Sequence, residues 1–315
     1  MGVLRLSVGF VLGGASLGSA QMSMNTGGGR PSVSPGGKLI AFSAERNGEW
    51  EIYVVRPDGS GRVQLTTTGE KNFVNLGPPS WIGERVFVWR RVDDSTRAVL
   101  IDVPNASGNA GRSSAPPPTI GLPRDAIQIH PSPDGRRLVF LHGDRQHPRI
   151  AVSNLDGSAL RDVTNGTPSA GFPDWSPDSK RVVFTIIDST SASQLAIADA
   201  DGGGSGFRVL THFDQAEGGP RWANWSRDGK HIVMQAGKYN PTKIEESTAH
   251  LWLVDTVTGQ ATKLAPHATA SLDETPSWFP DGSRIAFQSN RTGVMEVWTM
   301  NADGTGARQV TSVTP

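Results

Sequence analysis

Apolar residues in this chain come in short bursts, separated by polar turns rich in glycine, and the bursts recur in a fixed order. After a turn resembling Ser-Pro-Asp-Gly comes a run such as "KLIAF" (38–42), "RVFVW" (85–89) or "RLVF" (137–140), and later "RVVF" (181–184), "HIVM" (231–234) and "RIAF" (284–287). β-Branched and aromatic residues dominate these runs, which favours strands. A polar loop follows, then a second run: "EIYVV", "AVLIDV", "RIAVS", "QLAIA", "HLWLV" or "EVWTM". A turn containing glycine comes next, at Asp58-Gly59, Asp156-Gly157, Asp201-Gly202, Gly259 and Asp303-Gly304. The unit ends in a short strand finishing in "QLT", "DVT", "VLT", "KLA" or "QVT".

The units can be aligned on the position of Trp in Trp-Ser-Pro-Asp-Gly. That position falls at Val33, Trp81, Pro131, Trp175, Trp225 and Trp278, so successive anchors are 48, 50, 44, 50 and 53 residues apart. A period of roughly 40–50 residues with strand-like content is the signature of propeller blades. Counting the segment that leads into each anchor, every unit holds four antiparallel strands. The pattern predicts an all-β, six-bladed β-propeller over 30–315, with blades at about 30–66, 73–121, 125–164, 171–211, 219–265 and 274–311. Each blade is made from consecutive residues, so the ring is expected to close without a strand exchanged between the termini. The second unit is worn, and its outer part, "PNASGNAGRSSAPPPTIGLP" (104–123), reads as a loop-heavy edge.

The recurring residues have mechanical explanations. Gly supplies positive φ in tight hairpin turns, Pro presets φ, and the Trp is a large wedge for packing blade on blade. Strand direction then sorts the loops. The Pro-Asp-Gly and Asp-Gly turns share one face and are uniform. The connections between blades and the loops between second and third strands share the other, and they vary. Variable loops on a rigid scaffold are where binding concentrates. By this logic the residues nearest the axial mouth are Asn72, Phe73, Asp125, His130, Phe172, Glu217, Arg221, Trp222, Asp273 and Glu274. They mix aromatic, cationic and anionic groups.

The combination Pro-x-Trp-Ser-Pro-Asp-Gly-x-x-Ile-Ala-Phe, then Ile-Tyr/Trp, Asp-Gly and Leu-Thr, resembles the TolB-type propeller repeat, a WD-repeat-like blade. The resemblance runs from 30 to 311, with five clear copies and one degenerate. It implies a six-bladed propeller and, for function, a Tol–Pal-like role. The same blade text also occurs in prolyl-oligopeptidase propellers and in some polysaccharide lyases. About ten residues separate the leader from the first blade, so the α/β domain that precedes the propeller in TolB is not expected here, nor is an α/β-hydrolase partner domain.

Composition narrows the picture. Thirty basic residues balance thirty acidic ones, and no basic run stands out, so nucleic acid is not an expected partner. Cysteine is absent, which excludes disulfides, a catalytic thiol and thiolate metal sites. The start, "MGVLRLSVGFVLGGASLGSAQ", has one Arg, an apolar stretch from Leu6 to about Leu12 and small residues to Ala20. Residues 1–20 therefore read as a secretory signal peptide and 21–29 as a flexible lead-in. The apolar stretch is too short to span a membrane. A periplasmic or secreted monomer is expected.

Catalytic signatures fail one by one. The Gly-x-Ser-x-Gly match, "GASLG" (14–18), lies in the leader without the strand and helix that a nucleophile elbow needs. "DADGGGSG" (199–206) lacks the later oxygen ligands of a calcium loop and the Lys-Ser/Thr of a phosphate loop. His130, His142 and His147 fall in the third blade, and His212, His250 and His267 in or near loops, but no His-x-His or His-x-x-x-His pair occurs. No cofactor and no metal site is expected. The reading is a non-catalytic scaffold that binds a peptide, a protein or a cell-wall component at the channel mouth. Two rivals stay open: a metal-assisted polysaccharide lyase or hydrolase, and a structural module of an envelope assembly.

Overall fold

The computed structural model describes residues 28–46, 48–67, 78–92, 95–104, 120–143, 148–165, 169–187, 192–202, 206–214, 218–238, 247–264 and 271–312. The expected leader, most of the lead-in, and 105–119 of the worn unit's outer edge lie outside them, as do Asn72, Phe73, His147, Glu217 and His267. Among the described residues there is no helix, and hence none long and apolar enough to cross a membrane.

The strands form six separate antiparallel sheets, each of consecutive segments. Blade 1 comprises β1 (Gly29–Val33), β2 (Ile40–Arg46), β3 (Glu49–Val55) and β4 (Val63–Gln64). Blade 2 has three strands among the described residues: β5 (Ser80–Ile82), β6 (Arg85–Val92) and β7 (Ser95–Asp102). Blade 3 holds β8 (Ile127–Pro131), β9 (Arg137–His142), β10 (Arg149–Asn154) and β11 (Arg161–Asp162). Blade 4 holds β12 (Ala170–Trp175), β13 (Arg181–Ile187), β14 (Ser193–Asp199) and β15 (Arg208–Val209). Blade 5 holds β16 (Gly219–Trp225), β17 (His231–Gly237), β18 (His250–Asp255) and β19 (Ala261–Lys263). Blade 6 holds β20 (Asp273–Trp278), β21 (Arg284–Ser289), β22 (Glu296–Asn301) and β23 (Arg308–Gln309). The first strands meet around the axis: β1 touches β5 and β20, β5 touches β8, and β8, β12, β16 and β20 follow in order. This is a closed six-bladed propeller. Among the described residues the first and last blades share no strand.

The apolar runs alternate between the two faces of each blade, as a period of two requires. Phe42 packs toward blade 6 beside Phe279 and Val310, while its neighbour Ala41 packs toward blade 2 beside Trp81. Phe184 meets blade 3, and Val183 meets blade 5. The buried apolar residues fall into six clusters, and each cluster fills one seam between adjacent blades.

The motif polar groups tie the turns. Ser176 Oγ accepts from Arg181 N at 2.9 Å and donates to Asp178 Oδ1 at 2.6 Å, and Ser132 and Ser226 repeat the arrangement. The Ser176 hydroxyl holds the Asp178 carboxyl below its ordinary range. The closing Thr of each "LT" folds back on the third strand: Thr66, Thr164, Thr211 and Thr311 Oγ1 accept from the amides of Ile52, Ile150, Leu195 and Val297.

The glycines of the turns after the third strands do more than supply positive φ. A Cβ on Gly259 (φ +76°) would lie 2.0 Å from the carbonyl oxygen of Leu210 in blade 4. One on Gly157 would lie 2.0 Å from Gly121 O, and one on Gly59 2.8 Å from Val310 O of blade 6. Each glycine thus lets a turn lie directly on backbone outside its own blade. Gly259→Ala is expected to lower stability by about 2 kcal/mol, against about 1 kcal/mol for Gly282→Ala, which has the same sign of φ and open space around it. Urea unfolding of the two variants checks the difference.

Candidate functional site

The inner strands are not regular. In β1, β8, β12, β16 and β20 the pairing register slips by one residue, between Gly29/Ser32, Ile127/His130, Gly171/Asp174, Arg221/Asn224 and Glu274/Ser277. At each bulge one residue takes left-handed backbone: Arg30 (φ 51°), Gln128 (52°), Phe172 (52°), Trp222 (50°) and Thr275 (47°). None is glycine, and Thr is β-branched, so each conformation carries a steric cost of about 1–2 kcal/mol. Neighbouring blades help to hold it. Phe172 N donates to Gln128 Oε1 at 2.7 Å, Thr275 N to Gln235 Oε1 at 2.9 Å, and Arg30 N to Gln288 Oε1 at 2.7 Å across the seam between blades 6 and 1. The fold explains why blade 2 differs. Its residue three before the anchor Trp is Pro78, whose ring forbids positive φ, and over its described residues, Ser80–Ile82, β5 pairs with β6 in register.

The bulges shape an axial channel of about 530 Å³. Two tiers of side chains line it. Three residues before the anchor, in every blade but the third, stand Arg30, Pro78, Phe172, Trp222 and Thr275, nearest the face of the variable loops. One residue before each anchor stands a polar girdle: Ser32, Ser80, His130, Asp174, Asn224 and Ser277. Beyond it the Ser-Pro-Asp-Gly turns form the opposite end, where Arg227, in the place of the motif Pro, reaches from blade 5 to Pro35 O of blade 1 at 3.4 Å.

Phe172 and Trp222 form an aromatic shelf, with ring centroids 5.1 Å apart and planes at 57°. The Arg30 guanidinium lies 5.7 Å from the Trp222 ring centre. Burial pulls the Arg30 guanidinium down to about 10, opposed by the Glu274 charge. In the girdle, Asp174 Oδ1 accepts from Trp175 N at 2.8 Å, and its Oδ2 accepts from Asn224 Nδ2 at 2.9 Å. Asn224 Oδ1 in turn accepts from Trp278 N at 2.8 Å, so one polar chain spans blades 4, 5 and 6. Burial pushes the Asp174 carboxyl up and the His130 imidazole down, and each moderates the other.

Of the residues expected at the mouth, the structure brings His130, Phe172 and Trp222 together on the channel wall. Arg221, Asp273 and Glu274 stand behind it. Arg221 Nη2 donates to Gly237 O at 3.0 Å. Asp273 is 0% exposed and accepts from Arg291 Nη2 at 2.8 Å. Glu274 accepts from Gln288 Nε2 at 2.8 Å, and burial pushes its carboxyl up against that bond and the charges of Arg221 and Arg30. Asp125 is exposed and accepts from Gly143 N at 2.6 Å. Sequence reasoning passed over Arg30, Thr275, Asp174 and Asn224. Counting back one and three residues from every anchor would have found them.

Chemically the site offers hydrogen-bonding groups below an aromatic and cationic rim. Among the described residues no three His, Asp or Glu side chains gather to hold a metal ion.

Comparison with known proteins agrees with this architecture. The chain is similar to the uncharacterized protein Atu1656 of Agrobacterium fabrum, with 26% identity over 180 residues, covering 57% of this chain and 56% of that one. It is 32% identical over 93 residues to the Tol-Pal system protein TolB of Anaeromyxobacter dehalogenans, covering 28% of this chain and 18% of that one. In shape it matches the crystal structure of TolB from Acinetobacter baumannii, with TM-score 0.66, 19% identity, 89% of this chain and 65% of that one. The chain thus spans less than two thirds of each of these proteins. The model of the Gmad1 family, described as the lipoprotein LpqB β-propeller domain, matches residues 18–198, more than half of the chain, and the protein belongs to that family.

Proposed function

We propose that this protein is a non-catalytic scaffold of the cell envelope, periplasmic or secreted, which holds a peptide, a protein segment or a cell-wall component at the mouth of its axial channel. The observation that carries the reading is the aromatic shelf. Phe172 and Trp222 keep unfavourable backbone angles and, in doing so, stand on the channel wall. Strain of this kind concentrates where side chains must be held for a ligand. Aromatic side chains beside an arginine are the residue types that anchor interfaces. The channel volume lies within the range of about 300–1,000 Å³ typical of ligand pockets. The similarity to TolB supports a Tol–Pal-like role, and family membership supports an envelope location.

A crosslinking experiment separates this reading from that of a structural module with a sticky outer edge. A photo-crosslinking amino acid is placed in cells at position 222 and, separately, at Val257, which is 81% exposed on the outer part of blade 5. Discrete products from position 222 and none from 257 are expected; the reverse pattern overturns the proposal. With the captured partner purified, Phe172→Ala together with Trp222→Ala is expected to weaken binding by at least about 30-fold while the far-ultraviolet spectrum is unchanged.

A further inference from the structure

We propose that the polar girdle of the channel recognises an alkylammonium group, from a lysine side chain or a peptide amino terminus, and that Asp174 is the group that binds it. This assignment rests on the channel reading above and names the chemistry of its ligand.

Asp174 stands one residue before Trp175 on β12, on the channel wall. Its donors among the described residues are both neutral, the Trp175 amide and the Asn224 side-chain amide, one to each oxygen. A carboxylate offers about four lone-pair sites, so each oxygen retains acceptor capacity. Burial raises its carboxyl, a cost that an incoming cation would offset. Burial pulls the neighbouring His130 imidazole down, so its charge offsets the burial of Asp174 only in part.

The rest of the wall is consistent with a cationic guest. Among the described residues three carboxylates line the channel, Asp134, Asp174 and Asp178, against two guanidinium groups, Arg30 and Arg227. Arg30 feels Glu274 and lies against Trp222, and Arg227 is exposed at the turn end on Pro35 O. The shelf of Phe172 and Trp222 gives the methylene stem of a lysine an apolar wall on its way in.

The test titrates the full-length protein, following the indole N–H resonance of Trp222. The probes are N-acetyl-lysine methylamide, N-acetyl-norleucine methylamide (a similar stem without the charge) and glycyl-norleucine amide (a free amino terminus without lysine). Either or both ammonium probes are expected to bind at least about tenfold more tightly than the acetylated norleucine probe, and which of them does identifies the source. Asp174→Asn is expected to remove that preference. Because it also disturbs the bond to Asn224, a second variant, Asp174→Asn with Asn224→Asp, exchanges the two groups and keeps a carboxylate in the girdle; it is expected to restore the preference. Equal binding of charged and uncharged probes, no binding of either ammonium probe, or a folded Asp174→Asn protein that keeps the preference overturns the ammonium assignment. Such a result leaves the channel reading standing if position 222 still crosslinks, and both fall if it does not.

Discussion

Replacing Trp175 by alanine is expected to lower the unfolding free energy by about 4 kcal/mol, the order found for large aromatic side chains removed from a packed core. Trp175 is 3% exposed and sits in the seam between blades 3 and 4, against Val139, Leu141 and Ile150 on one side and Val182 and Phe184 on the other. Its indole N–H donates to His130 O at 3.0 Å, and the Arg137 guanidinium lies 4.9 Å from its ring centre. The alanine variant loses all of this and opens a cavity beside the channel. Trp175→Phe keeps most of the volume and loses the hydrogen bond, for an expected cost of about 1–2 kcal/mol. The urea midpoint should fall in that order with the slope unchanged. A drop under about 1 kcal/mol for alanine would mean that the seam does not depend on its wedge.

Arg291→Met should cost nearly as much, about 3–4 kcal/mol, though Arg291 lies in a surface turn. Its guanidinium is laid over the Phe287 and Trp298 rings, 5.1 and 4.7 Å from their centres, and bonds Asp273 and Ser289. Methionine keeps the packing and removes the charge, leaving a fully buried carboxylate without its cation. Breaking a buried pair on one side typically costs about 3–5 kcal/mol. Replacing both partners, with Asp273→Leu added, is expected to recover most of the loss. Thermal melting of the single and double variants completes the cycle. If the double variant loses the sum of the two single losses, the pair carries no coupling and Arg291 acts by packing alone.

These two residues also mark what the sequence revealed and what it hid. The repeat around Trp175 was plain because its wedge, Ser-Asp turn and alternating apolar run all recur, so blade number, strand order and antiparallel direction followed. Direction alone also pointed to Phe172, Trp222 and His130, which the structure places on the channel wall. Asp273 lies behind the wall for a finer reason. Strict alternation back from Ser277 puts Thr275 and Asp273 on one side of the strand. The register of β20 slips between Glu274 and Ser277, the alternation breaks, and Asp273 is buried on Arg291 instead. A bulge leaves little trace in composition, since five different residue types occupy it here. Arg30 was hidden for the opposite reason: it belongs to blade 1, whose anchor is Val33 rather than Trp, so a copy of the motif without its wedge held a channel residue.

The left-handed residues have a wider consequence. Arg, Gln, Phe, Trp and Thr occupy one backbone station in five blades, and in three of them the amide is caught by a glutamine from the neighbour. The kink belongs to the main chain and accommodates five unlike side chains, though not the proline of blade 2. The rim is therefore a row of interchangeable sockets, in which affinity can be rewritten one blade at a time while the sheets behind stay as they are.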